Sequence, residues 1–212
     1  MRTSQSGIFL ASAEMAEIGL TQDTLLSAIS NTHQILDQID SKLTEVGADP
    51  ISQMIELANL SSMVGNLFAA EIAKNSNGNF VRNGPHKYPD LLAAKPTSKN
   101  IEIKMALENN KPKGHLAKEG YYLICRYVLV DQEEKYNPES RGNKVAIWEV
   151  RFGYLLDAHF NISNTPGDSG KTAVINKEGM AALKVVYLNL TIAPYSDRSA
   201  TFKTLQKLIS NI

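Results

Sequence analysis

Cysteine is nearly missing from this chain, with Cys125 the only one in 212 residues. That excludes an intramolecular disulfide and any zinc site built on several thiolates, and the apolar run around Cys125 marks it as a small buried hydrophobe. An excess of charge of either sign is missing too. Lys and Arg number 22 against 22 Asp and Glu, so no global positive field draws the chain to nucleic acid. A balanced total still allows basic residues to line one cleft while carboxylates gather in another. No uninterrupted apolar run reaches membrane-spanning length. Met1-Arg2-Thr3-Ser4-Gln5-Ser6 before the short run from Gly7 to Leu10 makes a poor signal peptide. The expectation is a cytoplasmic protein with no membrane partner.

What is present is ordinary for a globular domain: 43% hydrophobic and 21% charged residues, without internal repeats or low-complexity tracts. From Thr21 to Val46 the apolar residues Leu25, Ile29, Leu36, Ile39, Leu43 and Val46 recur at helical steps, with Thr32 in the one polar gap. The spacing predicts an amphipathic helix started by Thr21 or Asp23 and ended at Gly47. Its narrow stripe suits packing within the chain or on a second copy, and His33 beside it reads as structural. Asp49-Pro50 then predicts a second helix, running to about Lys74 and stopped by Asn75-Ser76-Asn77-Gly78. Its expected apolar set is Ile51, Met54, Ile55, Ala58, Val64, Leu67, Phe68 and Ile72, with Glu71 at the edge of that face.

Asn79 to Arg82 reads as a short strand and Asn83-Gly84-Pro85 as a turn. Tyr88 to Leu92 reads as a strand carrying Asp90, and Ala94 to Asn100 as a hairpin loop. The returning strand, Ile101-Glu102-Ile103-Lys104-Met105, alternates strictly. It would turn Ile101, Ile103 and Met105 to a core and Glu102 and Lys104 to the other face, those two roughly 6 to 7 Å apart. Asp90 lies twelve positions before Glu102 (102 minus 90), close enough to stand on a neighbouring strand.

Pro89-Asp90 followed by Glu102-Ile103-Lys104 resembles the PD-(D/E)XK nuclease motif, over a region of about residues 65–130. The resemblance implies an α/β (α+β) restriction-endonuclease-like core, a central mixed sheet flanked by helices, spanning residues 49–212. Residues 1–48 would be an N-terminal helical segment available for dimerisation. It implies magnesium, with manganese able to substitute, on Asp90, Glu102 and the Ile103 carbonyl. Lys104 would be catalytic beside the attacking water, and Glu71 an accessory carboxylate from the preceding helix. A free-standing chain of this size looks like a type II restriction endonuclease cutting double-stranded DNA as a homodimer. A repair or junction-resolving nuclease of the same fold, or a non-catalytic DNA- or protein-binding module, are the alternatives.

Glu108 to Gly120 is a polar stretch holding Lys111, Lys113, His115 and Lys118, suited to phosphates beside the proposed site. Asp157 to Gly170, continuing into Lys171-Thr172, is a second candidate recognition segment, with Asn164 and Lys171 as its contacts. Within it, Thr165 to Thr172 reads TPGDSGKT. A phosphate loop would need glycine at Thr165, and only 40 residues follow Thr172 (212 minus 172), so no nucleotide cofactor is expected. Tyr121 to Val130 and Val145 to Leu155 read as long buried strands, the second placing Trp148 and Phe152 on one side and Glu149 and Arg151 on the other. Arg126, Glu149 and Arg151 would be paired with one another or line a cleft. Lys177 to Ala182 reads as a helical turn, Leu183 to Ile192 as a strand and Thr201 to Ile209 as a terminal helix.

Overall fold

Thr21 starts the first long helix as its spacing predicts. Its hydroxyl accepts from the Thr24 amide at 3.2 Å, and helix α2 runs Gln22–Glu45 after a short α1, Ala13–Glu17. The structure, a computed structural model, describes residues 7–84, 87–114, 117–163 and 172–210. The second predicted helix is broken in two, α3 at Ile51–Met54 and α4 at Leu57–Asn75, with Ile55 and Glu56 extended between them. Asp49 does not cap it. The Asp40 carboxylate of α2 accepts from the Ile51 amide at 2.8 Å instead. Met54 and Ala58, expected in the core, are exposed, and Leu60 is buried in their place.

The strands are β1 (Ile8–Phe9), β2 (Phe80–Arg82), β3 (Leu91–Ala93), β4 (Ile101–Leu107), β5 (Lys113–Gly114), β6 (Gly120–Val130), β7 (Lys144–Leu155), β8 (Phe160–Ser163), β9 (Thr172–Ile175) and β10 (Lys184–Leu188). Seven form a central mixed sheet in the order β1-β10-β7-β6-β4-β3-β2, in which β4 and β6 are parallel and the other neighbours antiparallel. Strands β5, β9 and β8 make a second, small sheet. Helices α5 (Lys177–Ala182) and α6 (Ala200–Ser210) complete the chain. The expected strand over 183–192 stops at Leu188, because the Asn189 side chain accepts from the Thr191 amide and opens a 3-10 turn at Leu190–Ile192.

One face of the large sheet packs on α2 and α4. Leu25, Ile29, Leu36, Leu60, Val64, Phe68 and Ile72 share a core with Ile101, Ile103, Leu123, Cys125, Ile147 and Phe152. Residues 7–48 therefore feed the same core as the rest of the chain through the first half of α2. Its second half is less buried, and Val46 is 79% exposed. His33 is structural, its Nε2 accepting from the Ile147 amide at 2.9 Å. The other face carries two smaller clusters, one around Tyr122, Ile124, Leu155, Ile175 and Leu183, the other around Val128, Val130, Ala146 and Trp148.

Strict alternation fails in β7. Arg126 pairs with Glu149 but Tyr127 pairs with Ile147, so Trp148 is the extra residue of a bulge. Trp148 and Phe152 consequently lie in different clusters on opposite faces, and Glu149 and Arg151 share the face of Trp148. Among the described residues no helix is long and apolar enough to cross a membrane.

Candidate functional site

The site forms where β3 and β4 separate. The two strands share one registered pair, Leu91 with Ile101, and two residues further along β4 the Ile103 amide faces the Asp90 side chain. Asp90 sits on the bend just before β3, not within a strand over 88–92, and its Oδ2 accepts from the Ile103 amide at 2.8 Å. In a strand the N–H and C=O of one residue point to the same edge. The Ile103 carbonyl is thus turned toward the side on which Asp90 stands.

Glu102 and Lys104 occupy the face away from α2 and α4, as the alternation predicts, but this face is not solvated. Glu102 is only 7% exposed. Its Oε1 takes an ion pair from the Lys104 ammonium, while Oε2 is buried and receives no donor. Burial pushes the Glu102 carboxyl up from its ordinary value; the Lys104 charge opposes that shift and the neighbouring Asp90 carboxylate adds to it. Two carboxylates and one ammonium therefore meet in a place that disfavours the second negative charge. The small sheet comes up against Lys104: a Cβ on Gly114 of β5 would come 3.0 Å from Lys104 Cε. Glycine at 114 lets the backbone lie against the lysine stem.

The donors gathered here are all oxygen, the Asp90 and Glu102 carboxylates with the Ile103 carbonyl, which is the chemistry magnesium prefers. The donorless Oε2 of Glu102 is the kind of orphan that a cation would satisfy. Among the described residues no group of three or more His, Cys, Asp or Glu side chains could hold a metal. Magnesium keeps several waters and needs only one or two carboxylates, so the donor set fits it.

The structure brings Asp90, Glu102, Ile103 and Lys104 together; Glu71 belongs to another network. Glu71 is buried in the seam between α2 and α4, where Oε2 accepts from Asn31 at 2.7 Å and Asn75 at 3.2 Å, with the Lys74 ammonium 3.6 Å from Oε1. All these partners lie on α2 or α4. Lys111 and Lys113 are exposed, and Lys113 belongs to β5, so the expected loop contains a strand. Lys118 places its Nζ 4.0 Å from the centre of the Tyr88 ring. His115, Asn164 and Lys171 lie outside the described residues, as does most of the TPGDSGKT segment.

Arg126, Glu149 and Arg151 are paired with one another. Glu149 is fully buried and accepts from Arg126 at 2.9 Å and from Arg151 at 2.7 Å.

Sequence reasoning missed two tyrosines and one glycine at the site. Tyr122 stands opposite Glu102 in the parallel register and donates its hydroxyl to the Lys118 carbonyl at 2.8 Å. Burial raises its ionisation range, and the Tyr88 and Glu102 groups nearby add to that. Tyr88 donates to the Glu119 carbonyl at 3.2 Å. Its position directly before Pro89-Asp90 was the available signal; for Tyr122 and Gly114 nothing local distinguishes them. No family model matches the chain, and no curated protein is similar enough to count as a relative.

Proposed function

We propose that the chain is a magnesium-dependent deoxyribonuclease built on a restriction-endonuclease-like core. Its expected form is a type II site-specific enzyme that cuts double-stranded DNA as a cytoplasmic homodimer, with manganese able to replace magnesium. One observation carries the reading: Glu102 is buried with a donorless oxygen, ion-paired to Lys104 and set against Asp90. A fold has little reason to bury such a group for stability, because ionised carboxylates out of water are costly unless fully satisfied. Perturbed carboxylates of this kind concentrate at functional sites.

Asp90, Glu102 and the Ile103 carbonyl would hold the cation. When bound, it supplies Lewis acidity toward a phosphoryl oxygen and a water of lowered pKa. Asp90 is oriented for this by the Ile103 amide. Lys104, held by Glu102 and backed by Gly114, presents an ammonium beside the phosphate and the attacking water. In the hydrolysis the water oxygen forms the new P–O bond, the bond to the leaving oxygen breaks, and the water's proton ends on that oxygen. The less-buried second half of the α2 stripe is the surface on which a second copy would pair. Incubation of the purified protein with plasmid DNA and magnesium or manganese tests the reading. Wild-type protein should cut, and Asp90→Ala or Lys104→Ala should not, with DNA binding largely kept. No cleavage by wild type, or normal cleavage by both variants, would remove the proposal.

A further inference from the structure

Asp90 stands outside regular structure, on the bend before β3, and the ladder between β3 and β4 has only the one registered pair of Leu91 with Ile101. A carboxylate on a bend is placed no better than the bend itself, so its position depends on what holds the backbone there. Asn83, the residue after β2, does most of that holding. The β2–β3 register pairs Phe80 with Ala93, Val81 with Leu92 and Arg82 with Leu91. It continues for one more rung, in which the Asn83 amide donates to the Asp90 carbonyl at 2.9 Å.

The Asn83 side chain then reaches one residue further. Its Nδ2 donates to the Pro89 carbonyl at 2.9 Å, and its Oδ1 accepts from the Gly84 amide at 2.8 Å. A carbonyl only accepts and an amide N–H only donates, so these two partners fix which end of the side chain faces Pro89. Two consecutive carbonyls, those of Pro89 and Asp90, are thereby gripped by one residue. With both held, the direction in which the Asp90 side chain leaves the backbone is set, and it leaves toward β4, where Oδ2 accepts from the Ile103 amide at 2.8 Å. A second tether comes from the entry to β6. The Tyr88 hydroxyl donates to the Glu119 carbonyl at 3.2 Å, and the Lys118 ammonium lies 4.0 Å from the centre of the Tyr88 ring.

We propose that Asn83 is the positioning residue of the site: it holds the Pro89-Asp90 bend so that the Asp90 carboxylate stays on the Ile103 amide, with Tyr88 as the weaker tether. This rests on the nuclease reading for the purpose of the carboxylate, but the positioning itself is read without metal or DNA. Partners that orient a metal-binding carboxylate typically cost 10- to 100-fold in metal affinity when removed.

Amide hydrogen exchange of the full chain is followed by NMR in metal-free buffer, and manganese is titrated separately under electron paramagnetic resonance. Asn83→Asp keeps an acceptor for the Gly84 amide but sets two acceptors against each other at Pro89. Exchange at the Ile103 amide should rise roughly tenfold or more, as for loss of a hydrogen bond to a charged group, approaching the rate in Asp90→Ala. The Leu123 and Cys125 amides should keep their rates. Manganese affinity should fall about 10- to 100-fold, although the added negative charge by itself would tighten cation binding. Tyr88→Phe should move both readings less, in the same direction. Where Asn83→Asp does not fold, Asn83→Ser, which keeps an acceptor for Gly84 without reaching Pro89, carries the same test. Wild-type exchange at Ile103 in the Asn83 variant would overturn the inference, and so would exchange that rises equally at Leu123 and Cys125, since that is general loosening. Loss of Ile103 protection in a protein whose wild type neither binds manganese nor cuts plasmid defeats the nuclease reading alone. A wild type that binds and cuts, with an Asn83 variant unchanged in exchange and affinity, defeats this inference alone.

Discussion

The same face of the central sheet carries two clusters of charge, and they have opposite characters. In Arg126–Glu149–Arg151 the carboxylate is fully buried and both its oxygens are taken by guanidinium groups. In Asp90–Glu102–Lys104 a buried carboxylate has one oxygen paired and one without a donor, with a second carboxylate beside it. Residue types and strand context are alike in the two, yet the first is closed around its carboxylate, with the Nε groups of Arg126 and Arg151 lacking partners, while the second leaves a buried carboxylate oxygen without a donor. Satisfaction of the buried oxygens, not the presence of charge in a strand, separates a structural cluster from a candidate site.

Breaking the closed cluster should have the largest effect. Glu149→Gln leaves two guanidinium groups without their shared counter-charge and should destabilise the fold by about 3–5 kcal/mol, read by urea unfolding. Glu71→Ala tests whether the accessory carboxylate belongs with the first cluster or the second. Its bonds to Asn31 and Asn75 make it structural, so the expected loss is roughly 1–3 kcal/mol of stability with cleavage per folded molecule retained.

Gly114→Ala should act on the open cluster alone. The added Cβ meets the flexible end of Lys104, so melting should hardly change, while displacement of the ammonium by about 1 Å should slow single-turnover cleavage by roughly 10- to 100-fold. The smallest effect concerns pH. The Glu102 carboxyl is raised when folded, chiefly by burial, so the native state holds that proton more tightly than the unfolded chain does. Its contribution to stability is full below the ordinary carboxylate range and is lost as pH rises through the raised folded value. In metal-free buffer, Glu102→Gln should therefore gain on wild type in melting temperature as pH increases across that window. A difference that shrinks with rising pH would reverse the sign assigned here.

Local signals carried much of this architecture. The Thr21 cap and Gly47 bracket α2, and the alternation of residues 101–105 places Glu102 and Lys104 together on one face. What the sequence did not disclose depends on distant partners. The start of α3 at Ile51 owes its anchoring to Asp40, eleven residues earlier. The face change at Trp148 comes from a bulge whose Ile147 amide is held by His33. Gly114 of β5 comes back against the Lys104 stem, and Glu102 beside it is buried. A half-exposed strand and a covered one have the same alternating pattern, and only the covering element tells them apart. The trio itself was legible, whereas Tyr88, Tyr122 and Gly114 gain meaning only once β4, β5 and β6 are side by side.

The most direct test of the central claim is isothermal titration of magnesium and manganese into wild type and Asp90→Asn, paired with plasmid cleavage by the same preparations. Wild type should show a saturable metal site that Asp90→Asn weakens strongly, with metal-dependent strand cleavage lost in parallel and the melting curve little changed. Metal binding and cleavage unaffected by Asp90→Asn, or no metal binding by wild type at all, would contradict it.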